Sequence, residues 1–170
     1  MPVLDTSILI SLLKGDSDTT RKIGSLEEDG IRLSTTVITA YELLKGARIS
    51  SKPEENTMRV RDSISRLQIL GLSLGACEEA SRIYKDLKER GRMISEFDIL
   101  IAAITKFSDD ELITRDEHFK SISRMRIIKW YGTCNHKRSP PLPMQRCTPA
   151  TRPIREAAEP PSFGSSGRQL

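Results

Sequence analysis

The chain predicts an α/β protein: a three-layer α/β/α sandwich built on a central, mostly parallel sheet of five strands. Three observations predict it. Short apolar or alternating runs of strand character recur between longer segments of helical periodicity. The stretches between them are long enough to hold helices, as parallel neighbours require. And Pro2 to Leu13 reads as a short buried strand, one carboxylate at Asp5, and a buried helix. The 170 residues suffice for one domain with a real core.

Pro2-Val3-Leu4 is the first strand, and Ser7 to Lys14 is a helix stopped by Gly15. Asp16, Ser17 and Asp18 offer N-caps for a helix over about 18–29, with Ile23 and Leu26 inward and Gly30 at its end. Ile31 to Thr35 alternates apolar and polar residues and predicts a strand. Thr36 to Ala47 predicts a mostly buried helix. Pro53 suits the first turn of another, about 53–69, with Met58, Ile64 and Leu67 at helical spacing. Ile69 to Ser73 is a short strand. Gly75 to Arg90 is amphipathic, with Ala80, Ile83, Tyr84 and Leu87 on one face. Ser95 opens a helix whose Ile99–Ile104 run has no polar face, so it should be buried. Glu111 to Thr114 is a strand, Arg115 to Phe119 turns into a short helix, and Met125 to Ile128 is the last strand, closed by Trp130.

Beyond Tyr131 the composition changes. Seven of nine prolines lie between Pro140 and Pro161. The reading is therefore a folded domain over 1–131 and a basic, disordered tail over 132–170. Residues 132–170 carry six Lys/Arg and two acids, while residues 1–131 carry 21 of each sign. The basic balance belongs to the tail and says nothing of nucleic-acid binding by the body. No apolar run approaches the roughly 20 residues of a membrane span, and no signal peptide is visible. The expectation is a cytoplasmic protein with no membrane partner. Cys77, Cys134 and Cys147 do not suggest a disulfide framework. Cys134, His136 and Cys147 fit no common zinc spacing and lack a fourth ligand.

Four carboxylates stand in apolar settings. Asp5 ends the first strand, and Asp116 follows the fourth through Thr114-Arg115. Glu42 lies on the Thr36–Ala47 helix in line with Ile38. Asp98 opens the most apolar helix. Each has an ordinary reading: N-caps at Asp5 and Asp116, a surface pair of Glu42 with Lys45, a capping box over Ser95 to Asp98. None of these readings explains the shared placement at strand ends and where apolar helices meet the sheet. Carboxylates gathered that way cannot all stay ionised without compensation. A hard divalent cation, Mg²⁺ or Mn²⁺, is the economical one, and it also neutralises an incoming phosphodiester.

At these residues the chain resembles the PIN-domain ribonucleases of the VapC type, toxins of toxin–antitoxin pairs. The matching stretches are Val3–Ile10, Ser34–Ala47, Phe97–Ala103, Leu112–Phe119 and Met125–Trp130. The resemblance implies a PIN-like α/β/α sandwich and metal-dependent hydrolysis of RNA phosphodiesters. It implies a site of Asp5, Glu42, Asp98 and Asp116. Asp5, Asp98 and Asp116 would be ligands, and Glu42 would hold a second metal or orient water. Ser7 and Thr114 match family positions whose hydroxyls sit beside the metal. Lys45 and Arg115, each near an acid, are candidates for phosphate contact or for solvated ion pairs. Homodimerisation and a cognate antitoxin protein are implied too. The segment 132–170 is extra to the family pattern.

Other readings are a PIN nuclease of RNA maturation or turnover, and a non-catalytic interaction module. A receiver-like domain would cluster its acids early, whereas these span Asp5 to Asp116. A haloacid-dehalogenase-like phosphatase would want Asp where Ser7 stands.

Overall fold

The structure, a computed structural model, describes residues 1–130. The expected tail and the boundary at 131 lie outside the described residues. The elements are β1 (Pro2–Leu4), α1 (Thr6–Leu13), α2 (Ser17–Glu28), β2 (Ser34–Thr36), α3 (Val37–Arg48), α4 (Pro53–Ser65), β3 (Gln68–Leu70), α5 (Leu74–Glu89), α6 (Glu96–Phe107), β4 (Glu111–Thr114) and β5 (Ile127–Lys129), with a 3₁₀ turn at His118–Ser121.

The five strands form one sheet in the order β3-β2-β1-β4-β5, and every pair is parallel. β1 is central: Leu4 aligns with Thr35 on one side and with Ile113 on the other. The chain steps outward from β1 to β2 to β3, then returns to β4 on the far side of β1. Right-handed crossovers in opposite directions require helices on opposite faces. Two cores confirm this. Val3 and Leu112 pack with Ala80, Ile83 and Leu87 of α5 and Ile99 and Ala102 of α6. Their strand neighbours Leu4 and Ile113 pack with Ile8 and Leu9 of α1, Ile23 of α2, Leu43 of α3 and Val60 of α4. Successive strand residues thus feed opposite layers. Each fully buried Leu or Ile among them contributes on the order of 1.5–3 kcal/mol.

The reversal of strand order falls between β1 and β4. In open parallel sheets the crevice beyond that switch point is where ligands bind. Asp5 and Asp116 lie just past those two strands.

The boundaries differ from the sequence expectation where hydrogen bonds decide them. β2 begins at Ser34 rather than Ile31. The Ile31 N–H donates to Leu26 O, closing α2 around Gly30, whose φ of +72° favours glycine. α4 ends at Ser65, and β3 covers Gln68–Leu70 instead of 69–73, because the Gln68 N–H already donates to Leu33 O. Ser73 caps α5, accepting from the Ala76 N–H at 3.2 Å. β5 sits one or two residues late, in register with Leu112–Thr114. Among the described residues, no helix is long and apolar enough to cross a membrane.

Candidate metal-binding active site

Asp5 is 4% exposed and caps α1. Its Oδ2 accepts from Ser7 Oγ at 2.9 Å, from Thr114 Oγ1 at 2.8 Å and, more weakly, from the Ser7 N–H at 3.4 Å. The cap and the crevice placement coexist, since every one of these donors sits on one oxygen. Ser7 and Thr114 are relays as well as donors. Ser7 Oγ accepts the Arg115 N–H at 3.2 Å, and Thr114 Oγ1 accepts the Asp116 N–H at 2.9 Å. Two hydroxyls therefore tie the end of β1 to the turn after β4.

Asp116 follows in that turn. Its Oδ1 accepts from the His118 N–H and lies against His118 Nδ1, both at 2.9 Å. The cap position of the 3₁₀ turn is Glu117, without a side-chain cap bond, so Asp116 makes a local turn onto the His118 N–H rather than the expected N-cap. Glu42 is half-buried, and its Oε2 accepts from Thr6 Oγ1 at 2.6 Å. It forms no ion pair with Lys45 among the described residues. Ser95 caps α6 through the Phe97 N–H at 3.3 Å, leaving Asp98 in the first turn and half-buried.

Asp98 reports the convergence. Burial, then the charges of Asp5, Asp116 and Glu42, push its carboxyl up to about 6, with His118 partly opposing them. All three other acids therefore act on it. Ligand atoms of Asp98, Asp116 and His118 lie within 4.8 Å of one another. Asp5 and Glu42 fall outside that close group; their carboxylates are held by the hydroxyls of Ser7 and Thr114 and of Thr6, respectively. Two carboxylates beside an imidazole could hold a hard or borderline divalent ion such as Mg²⁺ or Mn²⁺ rather than a soft one.

Two residues were missed by the sequence reading. His118 stands two positions after Asp116 and braces it. Thr6 follows Asp5 directly and braces Glu42. The signals were present as a hydroxyl and an imidazole flanking strand-end acids, yet neither type is diagnostic without its partner in view.

The two candidate phosphate contacts part company. The Arg115 guanidinium binds Ser11 Oγ at 2.8 Å, Asp16 Oδ2 at 2.6 Å and Thr19 Oγ1 at 2.8 Å, so it holds the α1–α2 junction. The ion-pair reading describes it. Thr19 first and Arg115 next keep the Asp16 carboxyl below its usual range. Lys45 instead stands over two aromatic rings at the crevice rim.

A parallel α/β/α domain with an acidic cluster beyond its switch point defines a class of fold whose carboxylates could hold a divalent cation. Within that class, the PIN-domain family model matches residues 3–125. The chain belongs to the PIN-domain family and is of the VapC type. It is 26% identical over 129 residues to the tRNA(fMet)-specific endonuclease VapC of Shigella flexneri, covering 75% of this chain and 96% of that one. It is 33% identical over 102 residues to ribonuclease VapC3 of Methanocaldococcus jannaschii, covering 60% of this chain and 95% of that one. Among solved structures, the DNA-bound VapBC of Salmonella typhimurium superposes with a TM-score of 0.71 at 26% identity, over 76% of this chain and 98% of that one.

Proposed function

We propose that this chain is a Mg²⁺- or Mn²⁺-dependent endoribonuclease that acts as the toxin of a toxin–antitoxin pair. The observation that carries the reading is the close approach of Asp98, Asp116 and His118, whose ligand atoms lie within 4.8 Å of one another, with the charges of Asp5 and Glu42 also acting on Asp98. Such a cluster is costly unless a cation sits in it. Asp5, Asp98 and Asp116 would hold the ion, and Glu42 would hold a second ion or orient water. When bound, the cation neutralises an incoming phosphodiester and acidifies water at the site.

The chain's own residues prepare that chemistry. Ser7 and Thr114 fix Asp5 by one oxygen. Thr6 orients Glu42, and His118 steadies Asp116. The half-buried crevice limits the water around Asp98, so its charge is available to a cation rather than screened. A homodimer, a cognate antitoxin protein and a cytoplasmic location belong to the same reading. An apolar groove of about 320 Å³ between α1, α3 and α4, with Glu42 at its rim, offers an antitoxin segment a route to the acids. The nuclease domain is assigned to 1–131, with 132–170 an appendage.

RNA cleavage with Mg²⁺ or Mn²⁺, with chelator, and with Asp98→Asn tests the enzyme. Undiminished cleavage in chelator would overturn the metal mechanism. Growth arrest on expression, relieved by co-expressing the neighbouring gene, separates a toxin from a nuclease of RNA maturation.

A further inference from the structure

On the rim of the crevice, where α3 meets α6, lies a patch that the acidic chemistry does not use. Tyr41 precedes Glu42 on α3, and Phe97 precedes Asp98 on α6. Their rings meet edge to face, with centroids 5.8 Å apart and planes at 73°. The Lys45 ammonium stands 5.4 Å from each centroid. Despite these contacts Tyr41 keeps 51% of its surface in solvent.

Neither Tyr41 nor Phe97 belongs to the two cores. The face of α3 that packs inward carries Thr39, Ala40, Leu43 and Ala47. Tyr41 lies off that face, one turn after the exposed Val37. The position of the charge is the second observation. Four acids repel a polyanion, and the Arg115 guanidinium is turned to Asp16. Lys45 is exposed, sits one turn from Glu42, and forms no ion pair among the described residues.

We propose that Tyr41, Phe97 and Lys45 form a docking platform for single-stranded RNA. A base flanking the scissile phosphate stacks on Tyr41, with Phe97 backing the ring, and Lys45 meets the neighbouring backbone phosphate. Stacking on an exposed aromatic beside a cation is sequence-tolerant and requires an unpaired base. A duplex keeps its base faces covered, so the platform disfavours paired RNA at that position. The platform rests on the ribonuclease reading, continues directly from its acids, and supplies the positive charge that the crevice lacks.

The test uses the full chain and a short, labelled single-stranded RNA of mixed sequence. Binding is read by anisotropy in the cleavage-deficient Asp98→Asn background, and cleavage with Mg²⁺ is read in the otherwise unaltered chain. Tyr41→Ala should weaken binding roughly 5- to 100-fold, raising KM far more than it lowers kcat, and Tyr41→Phe should restore most of it. Lys45→Ala should make the dependence of log affinity on log salt shallower by about 0.7. The same RNA annealed to its complement should bind more weakly and ignore Tyr41→Ala. Unchanged binding in Tyr41→Ala and Lys45→Ala overturns the platform while wild-type cleavage upholds the ribonuclease. Binding that needs Tyr41 in a chain that never cleaves RNA overturns the ribonuclease and upholds the platform. A shift in oligomeric state with Tyr41→Ala that accounts for the whole loss assigns the patch to a second copy of the chain and overturns the proposal.

Discussion

Thr114 shows how much one hydroxyl holds. It is fully buried, donates to Asp5 Oδ2 and accepts the Asp116 N–H. Thr114→Val keeps the shape and removes both bonds, leaving the buried Asp5 carboxylate short of a donor and the partly buried Asp116 N–H without its acceptor. The expected cost is about 1–3 kcal/mol, visible as a lower melting temperature, together with weaker divalent-ion binding. Asp98 makes the opposite prediction in the metal-free protein. Its folded carboxyl is raised to about 6, above its unfolded value. The folded state therefore holds that proton more tightly, and stability from this group is full at low pH and falls as pH rises through about 6. Asp98→Asn should flatten that fall and stabilise the metal-free chain near neutral pH by about 1 kcal/mol, allowing for solvent screening of a half-exposed group. Chemical denaturation with chelator on both sides of pH 6 reads it.

At the scale of elements, Arg115 distinguishes a clamp from a substrate contact. Its guanidinium joins Ser11 at the end of α1 to Asp16 and Thr19 at the start of α2. Arg115→Ala should cost about 1–3 kcal/mol through these charge-assisted bonds, and Arg115→Lys should not restore them, because one ammonium cannot reproduce the fork. The salt dependence of RNA binding should stay as it was. A changed salt slope with unchanged melting would return Arg115 to the role of a phosphate contact.

The element boundaries also show what the sequence could tell. Strand and helix identities followed from periodicity, and their order implied a parallel sheet with helices on both faces. The three-residue strands β1, β2, β3 and β5 are too short for alternation to set their limits. Which N–H pairs with which carbonyl set them instead, as at Ile31 and Gln68. The four acids were legible because each sits at a strand end or on an apolar helix. Their braces, Thr6 and His118, were not, since a hydroxyl and an imidazole gain meaning only across the crevice. Arg115 was misleading for a related reason: its neighbour in sequence is Asp116, but its partner in space is Asp16.

For the whole molecule, the domain assignment predicts that a chain ending at Tyr131 folds and cleaves RNA as the full chain does. Among the described residues, both cores are assembled from residues 3–130, and the expected outcome is that circular dichroism and melting change little. Loss of solubility or of activity would assign an essential role to 132–170.

Asp5, Glu42, Asp98 and Asp116 are proposed to form one divalent-cation site. Calorimetric titration of Mn²⁺ into the full chain tests it most directly, with Asp5→Asn and Asp98→Asn beside the wild type. Saturable binding should strengthen as pH rises through about 6, where Asp98 loses its proton, and each substitution should abolish it while far-ultraviolet circular dichroism stays unchanged. Binding of equal strength in wild type and both variants would contradict that proposal.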